Sequence, residues 1–510
     1  MQKQIITSAI ALTLFGCGGG ESGNSGNPAP PVKNYTINFL GTGLQATVGN
    51  CQVFGYGPKK ENGSRDKIIA YRTQPINTPT RQYEVFIHNA DGSVRQHFRG
   101  SGLNTNQLQF AQREIPNDGY LSFVIFENFG TNVTTFAKSL LPDAFSVYTE
   151  GNITSCLTPN SANPREFEVK GRIQRVSGEP LSGFNTAYQN LDDITKFYLL
   201  NNPDIEPITF LSQDRPLLAI NYETDSESKA IKSLLGFKFT PFTQTGTSGN
   251  PIKLDLLVHR NAPWESPTDI NVENAFLFVN GKKQLPSANY AYLWQPFIQN
   301  GEVIHDKFSY TDSIGDNNYY LYLQGQQNVN GHPYYWGIQH VAQGTTNAGA
   351  SLSADQVLDP LPQAETPILE ACTLNESRQC LIVNTGELSA NDGIQRTVLD
   401  AKLRASSSVS LRQVFYTPIQ ATLPILSFNK PNLDQGLAEN TATTSVSLLI
   451  SNSVEVREAF LYQHQNLQGG SENLFDPKVD IIPLLKNIAA QQDQQDLLKR
   501  QPYTWVWLEE

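Results

Sequence analysis

At 510 residues the chain is long enough for two to four domains of ordinary size, and its 17 % content of charged residues excludes long solvated helices or coiled coils as the main architecture. A formal charge of −11, with no basic stripe, excludes nucleic acid as an electrostatically favoured partner. Twenty Tyr, 26 Phe, 37 Gly and 30 Pro suit many short strands joined by turns.

The first element is an eleven-residue apolar run, Ile5 to Phe15, preceded by Lys3. It is too short to cross a hydrocarbon core of roughly 30 Å, which needs about 20 residues, but it has the length of a signal-peptide h-region. The run closes on Leu14-Phe15-Gly16-Cys17, which resembles the lipobox of bacterial lipoproteins, with Phe15 where that family favours a small or aliphatic residue. The resemblance implies cleavage before Cys17, a diacylglyceryl thioether on its sulfur and an acylated amine. It also implies, with Gly18 rather than Asp following, release to the outer membrane. Residues 1–16 are then the signal peptide. Residues 17–32, rich in Gly, Ser, Asn and Pro, form a flexible tether with a reach of roughly 20 Å.

Residues 33–160 contain the alternating runs Tyr35–Leu40, Gln52–Tyr56, Gln82–His88 and Leu121–Phe126, with Asn89-Ala90-Asp91-Gly92 as a hairpin signal. A second segment, 161–357, opens on the strand Glu166–Ile173. The Ser177–Gly183 turn that follows resembles the opening of transthyretin-like, carboxypeptidase-regulatory-type sandwich modules. Thr224 and Glu227 read as a capping box, which predicts a helix over Lys229–Leu235 closed by Gly236. Asn280-Gly281, Asn300-Gly301 and Asn330-Gly331 then punctuate aromatic strands. Residues 358–367 read as a Pro-rich linker. The last segment, 368–510, starts with strands such as Ser445–Ile450. It ends with an amphipathic helix over Ile481–Leu498 and a final alternating strand, Tyr503–Leu508. The expected fold is therefore dominated by β structure: tandem antiparallel sandwich-like domains with a few short helices and a C-terminal helix plus strand.

With Cys17 set aside, four cysteines remain, an even number that in an exported chain predicts two disulfides. Of three connectivities, Cys51–Cys156 with Cys372–Cys380 keeps each pair inside one segment. No Cys-x-x-Cys occurs and no His lies near a Cys, so no metal site is expected, and no cofactor motif is visible. Asp312–Asn318 gathers oxygen ligands but lacks the EF-hand spacing and reads as a turn. There is no Gly-x-Ser-x-Gly, His-Glu-x-x-His or phosphate-loop motif, and seven His are scattered singly, with His305 and the His332/His340 pair the first to inspect.

Twelve aromatic residues lie between Tyr290 and Trp336, interleaved with Gln and Asn. Tyr290, Tyr292, Trp294, Tyr310, Tyr322, Tyr335 and Trp336 are the candidate binding surface, because rings and amides together suit a sugar or a protein hot spot. Filling of a sandwich core is the competing use of the same rings. The sequence thus predicts a lipid-anchored outer-membrane protein, facing the periplasm or the exterior, that is not an enzyme. It would be a structural or partner-binding component of the envelope, with a protein or glycan partner. A glycan-binding adhesin using residues 290–336 is the alternative, and a lipoprotein hydrolase is a third.

Overall fold

Strands place successive side chains on opposite faces, and here both faces are apolar. In Tyr120–Glu127, the residues Tyr120, Val124 and Phe126 enter one buried cluster while Leu121 and Phe123 enter another. Ala275, Leu277 and Val279 alternate with Phe276 and Phe278 in the same way. In the computed structural model the described residues are 32–158 (without 63), 163, 167–176, 181–186, 198–200, 204–210, 216–225, 227, 231–240, 251–256, 260–265, 270–281, 290–342 (without 306, 312 and 315–317), 352–353, 361–461 (without 363, 376–377, 405 and 439–440) and 486–509. The signal peptide, the tether, Ser177–Pro180 and most of the Asp312–Asn318 turn lie outside them.

The central element is a 13-stranded sheet. It runs from Glu302–Val303 through Ala291–Gln299, Val272–Asn280, Tyr319–Val329 and His332–Val341 to the final strand, Tyr503–Glu509. It continues through Thr443–Ile450, Gly393–Leu403, Ser406–Pro418, Gly130–Ala137 and Tyr120–Glu127 to Arg81–His88 and Val94–Phe98. All three segments expected as tandem modules thus contribute strands to one sheet. Neighbours pair antiparallel throughout, except where Ser406–Pro418 runs parallel to Gly130–Ala137. That parallel junction joins the first segment to the third. The second joins the third through Tyr503–Glu509, which lies between His332–Val341 and Thr443–Ile450.

A six-stranded sheet centred on Asn34–Gln45 packs Tyr35, Ile37 and Phe39 into one of the two clusters. Helix α1 (Val454–Leu461) adds Val456 and Ala459 to the same cluster, and helix α2 (Ile488–Arg500) adds Leu498. The other cluster receives Leu218, Ile220, Tyr222, Leu234 and Phe237 from a five-stranded sheet. The sandwich-like, mostly β architecture read from the sequence is therefore present, with the central sheet covered on both sides.

Local expectations fare unevenly. The Asn300-Gly301 and Asn330-Gly331 turns occur as read, all four residues having positive φ (53°, 79°, 53° and 90°), as a tight hairpin requires. Of the helix expected at Lys229–Leu235, Lys229 and Ala230 lie outside the described residues, and the rest is strand: Ile231–Thr240 pairs with Leu217–Thr224 as a hairpin. Cross-strand pairing of Tyr222 with Leu234 and Ile220 with Phe237 buries all four, and this tertiary gain outweighs the capping signal. Helix α2 starts at Ile488, where Asn487 caps it by accepting from Ala490 N at 2.9 Å; residues 481–485 lie outside the described set. The Pro-rich segment is packed against the body in its described part. Ala364 is buried, and the Pro362 and Pro367 carbonyls accept from Tyr334 Oη (2.6 Å) and Thr444 Oγ1 (2.5 Å).

Both disulfides form as read from the sequence. Cys51–Cys156 has a Cα separation of 5.5 Å and Cys372–Cys380 one of 4.7 Å. The ends of the long sheet are blunted differently. Glu302–Val303 is two residues long, and Val94–Phe98 carries Arg95 and His97 and runs on to Arg99. Short and charged edges both discourage strand addition.

Candidate functional site

The aromatic segment does not form the expected binding surface. Tyr292, Trp294, Tyr310, Tyr322 and Trp336 are at most 2 % exposed. Three of them use their polar atoms internally: Trp294 Nε1 donates to Ser309 O (2.8 Å), Tyr292 Oη donates to Pro216 O (3.2 Å), and Tyr322 Oη accepts from Trp505 Nε1 (3.3 Å). Tyr290 and Tyr335 are half-buried, and Tyr335 stacks on Trp507 with 5.0 Å between centroids. A sandwich with one wet face would have left alternate rings outside. This sheet is covered on both faces, so most of the rings are core.

The histidines singled out from the sequence also have structural surroundings. His305 is buried, its ring edge-on to Phe297, and its Nδ1 accepts from Lys307 N at 2.7 Å. His332 and His340 are half-buried at the two ends of one strand. A group of three or more His, Cys, Asp and Glu able to hold a metal ion is absent among the described residues.

Two polar arrangements that the sequence did not reveal meet at the far end of the sheet. The first is a charged cluster. Glu84, 4 % exposed, hydrogen-bonds His97 Nε2 and accepts from Lys430 Nζ at 3.1 Å. Beneath it, His97 stacks on Phe86 (4.2 Å between centroids) and Lys430 Nζ sits 3.1 Å over the Phe126 ring. Burial pushes the Glu84 pKa up, but the hydrogen bonds from His97 and Lys430 outweigh it and hold the carboxyl below its usual range. His88 on the same strand is fully buried, and burial drives its pKa down to about 3, so the ring is neutral.

The second arrangement is a cleft of about 440 Å³ lined by Arg378, Gln379, Arg404, Ser427, Asp434 and Gln435 among others. Three stretches of chain build it. The Cys372–Cys380 disulfide closes the hairpin of Ile368–Ala371 with Gln379–Ile382, placing Arg378 beside Gly92 O, to which Nη1 donates at 3.1 Å. Gln379 fixes the loop opposite by accepting from Leu437 N (2.8 Å). Arg404 follows the strand Gly393–Leu403, its N–H donating to Gly436 O (3.0 Å). Gly436, at φ 92°, holds a backbone conformation that L side chains rarely adopt.

Asp434 organises the loop from within. Its carboxylate accepts from Phe428 N (2.9 Å), Lys430 N (3.0 Å) and Ser427 Oγ (3.0 Å). The same loop therefore aims Lys430 at Glu84 and borders the cleft.

A larger cavity, about 680 Å³, lies where the final strand enters the sheet, lined by Gln339, His340, Ser451, Tyr503 and neighbours. Two of its side chains are tied to backbone, Gln339 Nε2 to Lys499 O (2.8 Å) and Ser451 Oγ to Pro502 O (3.1 Å). Among the described residues no helix is long and apolar enough to cross a membrane. Comparison with known proteins gives no matching family model and no matching curated sequence.

Proposed function

We propose that this chain is a lipid-anchored component of a bacterial outer membrane that acts by binding a partner in the cell envelope rather than by catalysis. The observation that carries this reading is the use of its cysteines. Four are paired in two disulfides, as suits an oxidising compartment, and the fifth closes the Leu14-Phe15-Gly16-Cys17 motif. Anchoring through two or more acyl chains is stable where a single chain is marginal. The tether then leads directly into Asn34–Gln45, the strand around which the six-stranded sheet is built. A double-covered sheet joining all three segments supports a rigid scaffold that presents loops to a partner. A protein partner fits better than a glycan held by the 290–336 rings, because most of those rings are core.

Membrane fractionation of wild type and Cys17→Ala tests the anchor. Wild type should sediment with outer membrane and be released by detergent, and the variant should be soluble. A Cys17→Ala variant that still sediments with membrane would contradict it.

A further inference from the structure

We infer that Gly151–Cys156 is a self-association edge, along which a second copy of this chain adds its own Gly151–Cys156 antiparallel, making one continuous sheet across two molecules. Among the described residues this strand pairs on one side alone, with Arg65–Pro75, so its outer row of backbone N–H and C=O groups has no strand beside it. Asn152, Ile153, Thr154 and Ser155 are all exposed, Ile153 by 62 %. Such a row is satisfied by water or by another extended backbone.

Neighbouring edges are closed by devices that this strand lacks. Val53–Lys59 pairs with the other end of Arg65–Pro75, and the Cys51–Cys156 disulfide joins the two half-edges end to end. There α2 lies against the strand: Gln491 Nε2 donates to Phe54 O (2.9 Å), and Ile488 packs on Val53. Ile368–Ala371, another edge, is four residues long and carries Glu370. Gly151–Cys156 has no charged residue and no proline, and its four central residues stand open to solvent.

The segment is also complementary to itself. With a two-fold axis between Ile153 and Thr154, antiparallel pairing sets Ile153 opposite Thr154 and Asn152 opposite Ser155, so no like charges meet. The register against Arg65–Pro75 shifts between Ile153 and Ser155, where Thr154 Oγ1 donates to Arg72 O (3.1 Å). That shift twists the strand, and a second copy carries the same twist. Ile76, 42 % exposed, follows Pro75, the partner of Gly151, and extends the apolar surface at this edge. The inference goes beyond the lipid anchor and does not rest on it.

The test is sedimentation equilibrium of the chain from Gly18 onward, which keeps every described residue and both disulfides. Wild type should form dimers with a Kd of about 1–100 µM, the weak range of a small interface. Ile153→Lys sets like charges across the two-fold axis and should raise Kd about tenfold or more. Its far-ultraviolet circular dichroism spectrum should be unchanged, because the side chain is exposed. Val303→Lys, at an end of the 13-stranded sheet and equally exposed to solvent, should leave the dimer as it is. In hydrogen–deuterium exchange the Asn152–Ser155 amides of wild type should gain protection as concentration rises through the Kd. A chain that stays monomeric up to about 100 µM, a dimer that Ile153→Lys leaves intact, or amides that gain no protection overturns the assignment.

Discussion

Asp496 gives the sharpest physical prediction. It lies on the inner side of α2, 2 % exposed, with Ala291 N 3.4 Å from its carboxylate. Burial pushes its pKa up to about 8, against the pull of Lys499, the Ala291 hydrogen bond and Arg500. In the unfolded chain the same group titrates near 3.9. Between those values the folded chain holds a proton that the unfolded chain has released, so folding stability falls as pH rises. The slope for one such proton is about 1.4 kcal/mol per pH unit. From pH 5 to pH 7 the loss is on the order of 2–3 kcal/mol. Asp496→Asn keeps the acceptor for Ala291 N and removes the titration. Urea unfolding of both proteins at pH 5, 6 and 7 and constant salt should show the variant gaining about 2–3 kcal/mol on wild type across that range. Parallel stability curves for the two proteins would refute the burial argument.

Further outcomes follow from the same packing. Lys430→Ala removes a half-buried partner of the buried Glu84 carboxylate, which keeps its bond to His97, and a loss of about 1–3 kcal/mol is expected in chemical denaturation. The lowered pKa of Glu84 means its stabilisation is present above the usual Glu value, near 4.3, and is lost as pH falls through its folded value; Glu84→Gln should flatten the acid limb of the stability curve. At Gly337 an added Cβ would collide with the Trp505 indole and come within 2.8 Å of Tyr322 Oη, so Gly337→Ala should cost about 1–3 kcal/mol and alter Trp fluorescence. Replacing Cys51 and Cys156 together by Ser opens a loop of 105 residues' separation and should cost about 4–5 kcal/mol, read as a lowered unfolding midpoint.

What could be read from the sequence was local. The strands at Gln82–His88, Leu121–Phe126 and Tyr503–Leu508, and the turns at Asn300-Gly301 and Asn330-Gly331, rest on local side-chain pattern and on residues that accept positive φ, so they survive into the structure. Pairing across long separations left no local trace. Nothing near Ser406–Pro418 signals that it runs parallel to Gly130–Ala137, or near Tyr503–Glu509 that it joins the second and third segments. The aromatic run is core rather than surface for the same reason. Alternation implies one buried face, and the second face is covered by strands and helices from distant sequence. Thr224 and Glu227 carried a real capping pattern, overridden because the chain from Ile231 pairs with a neighbour already buried. The cleft was invisible because Arg378, Arg404 and Asp434 come from three stretches, brought together by a disulfide and a loop that folds around its own carboxylate.

The anchor is tested most directly by intact-mass and N-terminal peptide mass spectrometry of the protein extracted from membranes with detergent. The expected mature chain begins at Cys17, with a diacylglyceryl group on its sulfur and a further acyl chain on its amine. An unmodified N-terminus, whether at Met1 or at any other residue, would contradict the lipid anchor and the envelope role built on it.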